Sequence, residues 1–94
     1  RGYPNQSAYS AAKHAVTGLS KSLAREVYKD GIRVSIISPG GVNTEMIRRA
    51  RPDLKADELL EPDDVAQAVE YLLSLSPRAA IDEIYIRRRY SEPF

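Results

Sequence analysis

Cysteine is absent from these 94 residues, so the chain has neither a disulfide nor a thiolate metal ligand, and its fold must hold by packing alone. Long apolar runs are missing too. None approaches the ~18 consecutive residues that a membrane span needs, and the polar start Arg1-Gly2-Tyr3-Pro4-Asn5-Gln6 lacks the apolar core of a secretory signal. There is little excess charge of either sign, and a net charge of +1 exerts no broad pull on nucleic acid or an anionic membrane. The expectation from these absences is a soluble cytoplasmic protein with no nucleic-acid partner, no membrane partner and no metal. What remains is ordinary: 43% hydrophobic and 29% charged residues suit a globular chain rather than a disordered one, with room for at most one small domain. There is no internal repeat, no low-complexity tract and no linker to a second domain.

Apolar and small residues recur at helical spacing from Ala8 through Val16, Leu19, Leu23 and Val27, and the pattern stops at Asp30-Gly31. Asn5 or Ser7 can cap the start, and Gly31 can take the left-handed conformation that ends a helix. Directly after it, Ile32 to Ser38 carries Ile32, Val34, Ile36 and Ile37, which suits a parallel strand covered on both faces. A short helix is predicted over Glu45 to Arg51, interrupted by Pro52. Pro62 with Asp63 and Asp64 opens a further helix, whose core-facing stripe is Val65, Ala68, Val69, Leu72 and Leu73 and which Ser76-Pro77 ends. Ile84, Tyr85 and Ile86 mark a last strand near Glu83 to Arg88, reached by a right-handed crossover if the two strands are parallel neighbours. Thr44 to Glu61, between strand and helix, reads as a flap, and Met46, Ile47, Leu54, Leu59 and Leu60 give it an apolar lining.

Two clusters carry chemistry. Tyr9 and Lys13 stand four residues apart on the first helix, so their side chains share one face. A phenol beside an ammonium is a proton-transfer device, because a fixed positive charge within several ångströms favours the phenolate. By itself this spacing is common in long helices, where it usually means a solvated lysine beside a half-buried tyrosine. The second cluster is Pro39-Gly40-Gly41-Val42-Asn43-Thr44 at the end of the predicted parallel strand. There two glycines remove side chains that would keep a flat ring from the backbone. An isolated Pro-Gly-Gly is more often only a turn.

Together, and in this order, the two clusters closely resemble the short-chain dehydrogenase/reductase family. Tyr9-x-x-x-Lys13 on a helix, a buried strand, then Pro39-Gly40-x-Val42-x-Thr44 matches that family's pattern position by position. The resemblance implies an α/β fold: the C-terminal part of a Rossmann-type doubly wound parallel sheet, in the order helix-strand-helix-strand, with the N-terminal nucleotide-binding half absent. Residues 1–94 would form one partial domain. It also implies an oxidoreductase that interconverts an alcohol and a carbonyl on a small molecule with NAD or NADP. Tyr9 is then the general acid or base. Lys13 holds the nicotinamide ribose and favours the phenolate of Tyr9, Val42 offers backbone hydrogen bonds to the carboxamide, and Thr44 contacts carboxamide or phosphate. Pro39, Gly40 and Gly41 line the cofactor ledge, and the flap closes over substrate and cofactor. Members are commonly dimers or tetramers joined through the Tyr-Lys helix and the last strand, so a homo-oligomer is expected.

The family's glycine-rich loop, its cofactor-selecting residue, its structural asparagine and its catalytic serine all precede the tyrosine, and only eight residues precede Tyr9 here. The chain is therefore expected to be an inactive fragment, or a piece completed by another chain. The alternative function is a non-catalytic α/β remnant that associates with itself or with a partner.

Other residues read more plainly. His14 is the one histidine, and it points away from the Tyr9 face. Arg87-Arg88-Arg89 is expected to alternate faces on the last strand as a solvated edge or subunit contact. Tyr85, Tyr90 and Phe94 suit packing or an interface. Asp53, Asp57, Glu58, Glu61, Asp63 and Asp64 lack metal-ligand order.

Overall fold

The computed structural model describes residues 7–93. The capping role considered for Asn5 and the packing role of Phe94 lie outside the described residues. The chain divides into two compact units that join between Ile36 and Ile37.

The first unit is built on helix α1, Ser7–Val27, whose alanines at 8, 11, 12 and 15 favour helix strongly. Its last turn tightens into a 3-10 segment, Tyr28–Asp30, and the predicted stop falls at Gly31, which takes φ 73°. That left-handed backbone lets Gly31 N–H donate to the Tyr28 carbonyl at 3.1 Å and Ile32 N–H reach the Val27 carbonyl at 3.4 Å. No residue of α1 is buried, and Val16, Leu19 and Leu23 are exposed, Leu19 at 68%. A helix of this kind draws most of its stability from a covered apolar face. Here that face is open.

Strand β1, Ile36–Pro39, all but its first residue in the second unit, pairs with strand β2, Glu83–Ile86, in a parallel two-stranded sheet. Between them come α2, Glu45–Ala50, a 3-10 turn at Ala56–Glu58, and α3, Pro62–Leu73. β1 starts four residues later than the apolar run at Ile32 predicts and includes Pro39. The length of a strand is set by its neighbour, and β2 offers only four residues of ladder. The expectation of cover on both faces is met only in part: Ile36 and Ile37 are half-buried, whereas Ser38 and Pro39 are exposed. β2 alternates, with Ile84 and Ile86 half-buried and Glu83 and Tyr85 facing out.

α3 begins at Pro62 as its sequence predicts, and the Asp64 carboxylate accepts from Glu61 N–H at 2.7 Å, capping the first turn. It ends at Leu73, before Ser76-Pro77, because Ser74 caps it by donating its hydroxyl to the Tyr71 carbonyl at 2.7 Å. Val65, Ala68 and Leu72 of the predicted stripe are half-buried, while Val69 lies further out and Leu73 is 81% exposed.

The arginine run departs most from expectation. Arg87, Arg88 and Arg89 do not extend β2 but bend into a hook, in which Arg87 donates to the carbonyls of Arg88, Arg89 and Ser91. Ser91 closes it by donating its hydroxyl to the Arg88 carbonyl at 2.9 Å. Among the described residues Leu59 is the only buried hydrophobic side chain. The apolar stripes of these elements therefore greatly exceed the core that they form.

Candidate active site

α1 carries Tyr9 and Lys13 on one face, and the Lys13 ammonium lies 5.5 Å from the centre of the Tyr9 ring. This is the distance of a cation–π contact, and it keeps a positive charge close to the phenol. Tyr9 is 52% exposed. His14 turns elsewhere, with Nδ1 2.7 Å from the Ser10 carbonyl oxygen one helical turn back.

In the second unit the turn after β1 brings Gly40, Gly41 and Val42 between β2 and the end of the flap. Gly40 N–H donates to the Ile86 carbonyl at 2.7 Å, extending the ladder by one step. Val42 pairs with Leu60 in a parallel bridge, in which Asn43 N–H donates to the Leu60 carbonyl at 2.6 Å and Leu60 N–H donates to the Gly41 carbonyl at 3.0 Å. A parallel bridge of this register uses the groups on either side of Val42 and turns the N–H and C=O of Val42 itself to the opposite edge. That edge faces away from Leu60. Thr44 caps α2, its hydroxyl accepting from Ile47 N–H at 3.3 Å, and remains exposed.

Both glycines of the turn have close neighbours on their Cβ side. A Cβ on Gly40 would meet the backbone of residues 86–88 at 3.5–3.9 Å, which is ordinary contact. One on Gly41 would press on Leu59 Cδ2 at 3.3 Å and Arg88 Cδ at 3.4 Å. Gly41 thus packs closely against side chains of the flap and of the arginine hook.

Reasoning from the sequence missed several residues around this turn. Asn43 Oδ1 accepts from Arg48 Nη1 at 2.7 Å, and Asn43 Nδ2 donates to Glu61 Oε1 at 3.2 Å. Arg88 lays its stem beside Gly41 and donates from Nη1 to the Glu58 carbonyl at 3.4 Å. The pairing of Asn43 with Glu61 spans eighteen residues and that of Arg88 with Glu58 thirty, distances at which local pattern carries no signal. Of the supposed apolar lid, Leu59 is core rather than lining, Ile47, Leu54 and Leu60 are half-buried, and Met46 is exposed. Among the described residues no three acidic or histidine side chains come together to hold a metal, and no helix is long and apolar enough to cross a membrane.

A family model described as short chain dehydrogenase matches residues 1–55, a span that includes both Tyr9-Lys13 and Pro39 to Thr44. The chain belongs to the short chain dehydrogenase family. Within that family it is 43% identical over 82 residues to carbonyl reductase family member 4 of Xenopus laevis, an alignment covering 78% of this chain and 33% of that protein. It is 34% identical over 87 residues to a farnesol dehydrogenase of Aedes aegypti, covering 90% of this chain and 35% of the other. The crystal structure of a betaketoacyl-ACP reductase (FabG) from Bacteroides thetaiotaomicron superposes with a TM-score of 0.77 at 37% identity, over 89% of this chain and 36% of that one. The chain spans about a third of the length of the curated relatives it matches. This short chain dehydrogenase is an α/β protein of the Rossmann type, and its family is one of oxidoreductases.

Proposed function

We propose that this chain carries the catalytic helix, the cofactor turn and the substrate flap of an NAD- or NADP-dependent oxidoreductase that interconverts an alcohol and a carbonyl. The observation that carries the reading is the Tyr9–Lys13 pair, its ammonium 5.5 Å from the phenol ring, inside the span that matches the family. Bound nicotinamide supplies or accepts the hydride. The Tyr9 hydroxyl gives a proton to the substrate oxygen as a carbonyl is reduced and takes one as an alcohol is oxidised. Lys13 binds the nicotinamide ribose, and its charge stabilises the negative charge that develops on the Tyr9 oxygen.

The residues of the turn suit the cofactor. Val42 presents an N–H and a C=O away from Leu60, the pair of groups that a carboxamide needs, and Thr44 keeps an exposed hydroxyl beside them. Pro39, Gly40 and Gly41 set the course of the backbone that presents those groups. The substrate is a small alcohol or carbonyl compound. Farnesol dehydrogenase, acetoacetyl-CoA reductase and carbonyl reductase among the relatives agree with that class and not with one member of it. We place the whole enzyme in the cytoplasm as a homo-oligomer, and we take the 94-residue chain alone to be inactive.

Tyr9→Phe in the whole enzyme tests the assignment. Turnover should fall by about 10²- to 10⁴-fold while the far-ultraviolet circular dichroism stays unchanged. Activity near that of the unsubstituted enzyme would overturn the role of Tyr9.

A second reading has one observation in its favour: Val16, Leu19 and Leu23 of α1 lie exposed, as they would on a module that associates with itself or a partner without catalysis. Cofactor titration separates the two. The oxidoreductase binds NAD(H) or NADP(H) in the micromolar range as the whole enzyme and feebly as the isolated chain, whereas the association module binds neither in either form.

A further inference from the structure

Within the second unit the flap begins after Asn43 and ends at Leu60 and Glu61, and Asn43 is tied to both ends of it. Its backbone N–H donates to the Leu60 carbonyl at 2.6 Å. Its side-chain Oδ1 accepts from Arg48 Nη1, on α2, at 2.7 Å, and its Nδ2 donates to Glu61 Oε1, one residue before α3, at 3.2 Å. With a cation on one side and a carboxylate on the other, the amide can point in one direction only. An aspartate here would keep the bond to Arg48 but lose the donor and set two carboxylates against each other. A leucine of similar size would lose both bonds.

This clasp sits one residue from Val42, whose outward N–H and C=O are the groups assigned above to the carboxamide. We propose that Asn43 is a positioning residue: by joining Arg48 to Glu61 it holds the Val42–Leu60 bridge closed and so keeps the polar groups of Val42 aimed at the cofactor. This rests on the nicotinamide reading and extends it to a residue that acts through its neighbours. Both side-chain bonds face solvent, so their joint effect on opening of the bridge is modest, about three- to tenfold.

The test compares Asn43→Leu, Asn43→Asp and the double variant Asn43→Asp with Glu61→Gln in the whole enzyme. In the double variant the polarity of one bond is reversed: the glutamine amide donates to the new carboxylate, and the bond to Arg48 is kept. Hydrogen exchange of the amides of residues 43 and 60 should quicken about three- to tenfold in both single variants and return to within about twofold of the original in the double variant. The KM for NADH or NADPH should rise by a similar factor in the single variants and recover in the double variant, with kcat and the KM for a ketone substrate unchanged. A residue that only supports folding would reduce the amount of active enzyme and leave the cofactor KM alone. Unchanged exchange, or faster exchange with an unmoved cofactor KM, overturns the proposal. Failure of the nicotinamide reading would show differently, as no NADH- or NADPH-dependent turnover by the unsubstituted enzyme. The positioning role would then fall with it, while exchange still reports whether the clasp exists.

Discussion

Lys13 and Tyr9 meet across one turn of α1, the ammonium 5.5 Å from the ring centre. A cation over an exposed aromatic ring contributes only about 0.5–1 kcal/mol to stability, too little to decide whether α1 forms. In the role proposed for Tyr9 the chemical value of the arrangement is larger, since the ammonium charge lies near the phenol that would carry negative charge as a proton moves.

Lys13→Met should therefore separate the two effects. We expect kcat of the whole enzyme to fall by about 10²-fold or more and the cofactor KM to rise, while the urea midpoint shifts only by what the lost ring contact is worth, about 1 kcal/mol or less. Lys13→Arg keeps the charge but spreads it over a planar group and should recover only part of the loss. If Lys13 were merely a surface partner of the ring, steady-state kinetics would show kcat and the cofactor KM unmoved in both variants.

Gly31→Ala probes the end of α1. A Cβ there would meet nothing within 4 Å, so space is not the issue, but φ is 73° and an alanine must adopt the left-handed region. The cost should be about 1–2 kcal/mol. Gly31→Asn should cost less, since asparagine enters that region more readily. Chemical denaturation of the three proteins gives the order, and equal midpoints for glycine and alanine would contradict the strain.

What could be read from residues alone was what is decided within a few residues. The shared face of Tyr9 and Lys13, the stop at Gly31, the start of α3 at Pro62 and the end of α2 before Pro52 each follow from spacing, backbone freedom or a missing N–H. Strand length was not legible, because Ile32 and Val34 are as apolar as Ile36 and only the extent of β2 marks where the ladder begins. Nor was the arginine hook, whose bend depends on Arg87 finding the carbonyls of Arg88, Arg89 and Ser91. Nor were the neighbours of Gly41 legible, for a related reason: the atoms that a Cβ there would meet, on Leu59 and Arg88, are eighteen and forty-seven residues further along the chain.

Gly41→Ala and Gly41→Val grade that contact. The added methyl of alanine meets the ends of two flexible side chains, at 3.3 Å and 3.4 Å, which can shift, so the loss should stay below about 1 kcal/mol. Valine overpacks the same space and should cost about 1–3 kcal/mol. In an Arg88→Ala background the valine penalty should shrink, with a coupling of about 0.5 kcal/mol or more in a double-mutant cycle. Strict additivity of Gly41→Val and Arg88→Ala would mean that the hook does not pack on the turn.

Asp53 offers a pH-dependent test within the flap. Arg51 grips its carboxylate with two bonds, Nε to Oδ1 at 3.0 Å and Nη2 to Oδ2 at 2.9 Å. The Arg51 hydrogen bond holds the Asp53 pKa below the ordinary aspartate value; desolvation opposes it, and a hydrogen bond from the Asp53 backbone and the charges of Arg51 and Arg88 add smaller downward effects. A carboxyl whose folded pKa is depressed binds its proton less readily folded than unfolded, so the pairing stabilises the flap fully above the unfolded-state value. The stabilisation fades as pH falls through the lower folded value. Carbon-detected NMR titration of Asp53 should place its midpoint below that of an exposed aspartate, and Arg51→Met should raise it toward that value. An Asp53 midpoint that stays where it was in Arg51→Met would show that the two-bond grip does not hold in solution.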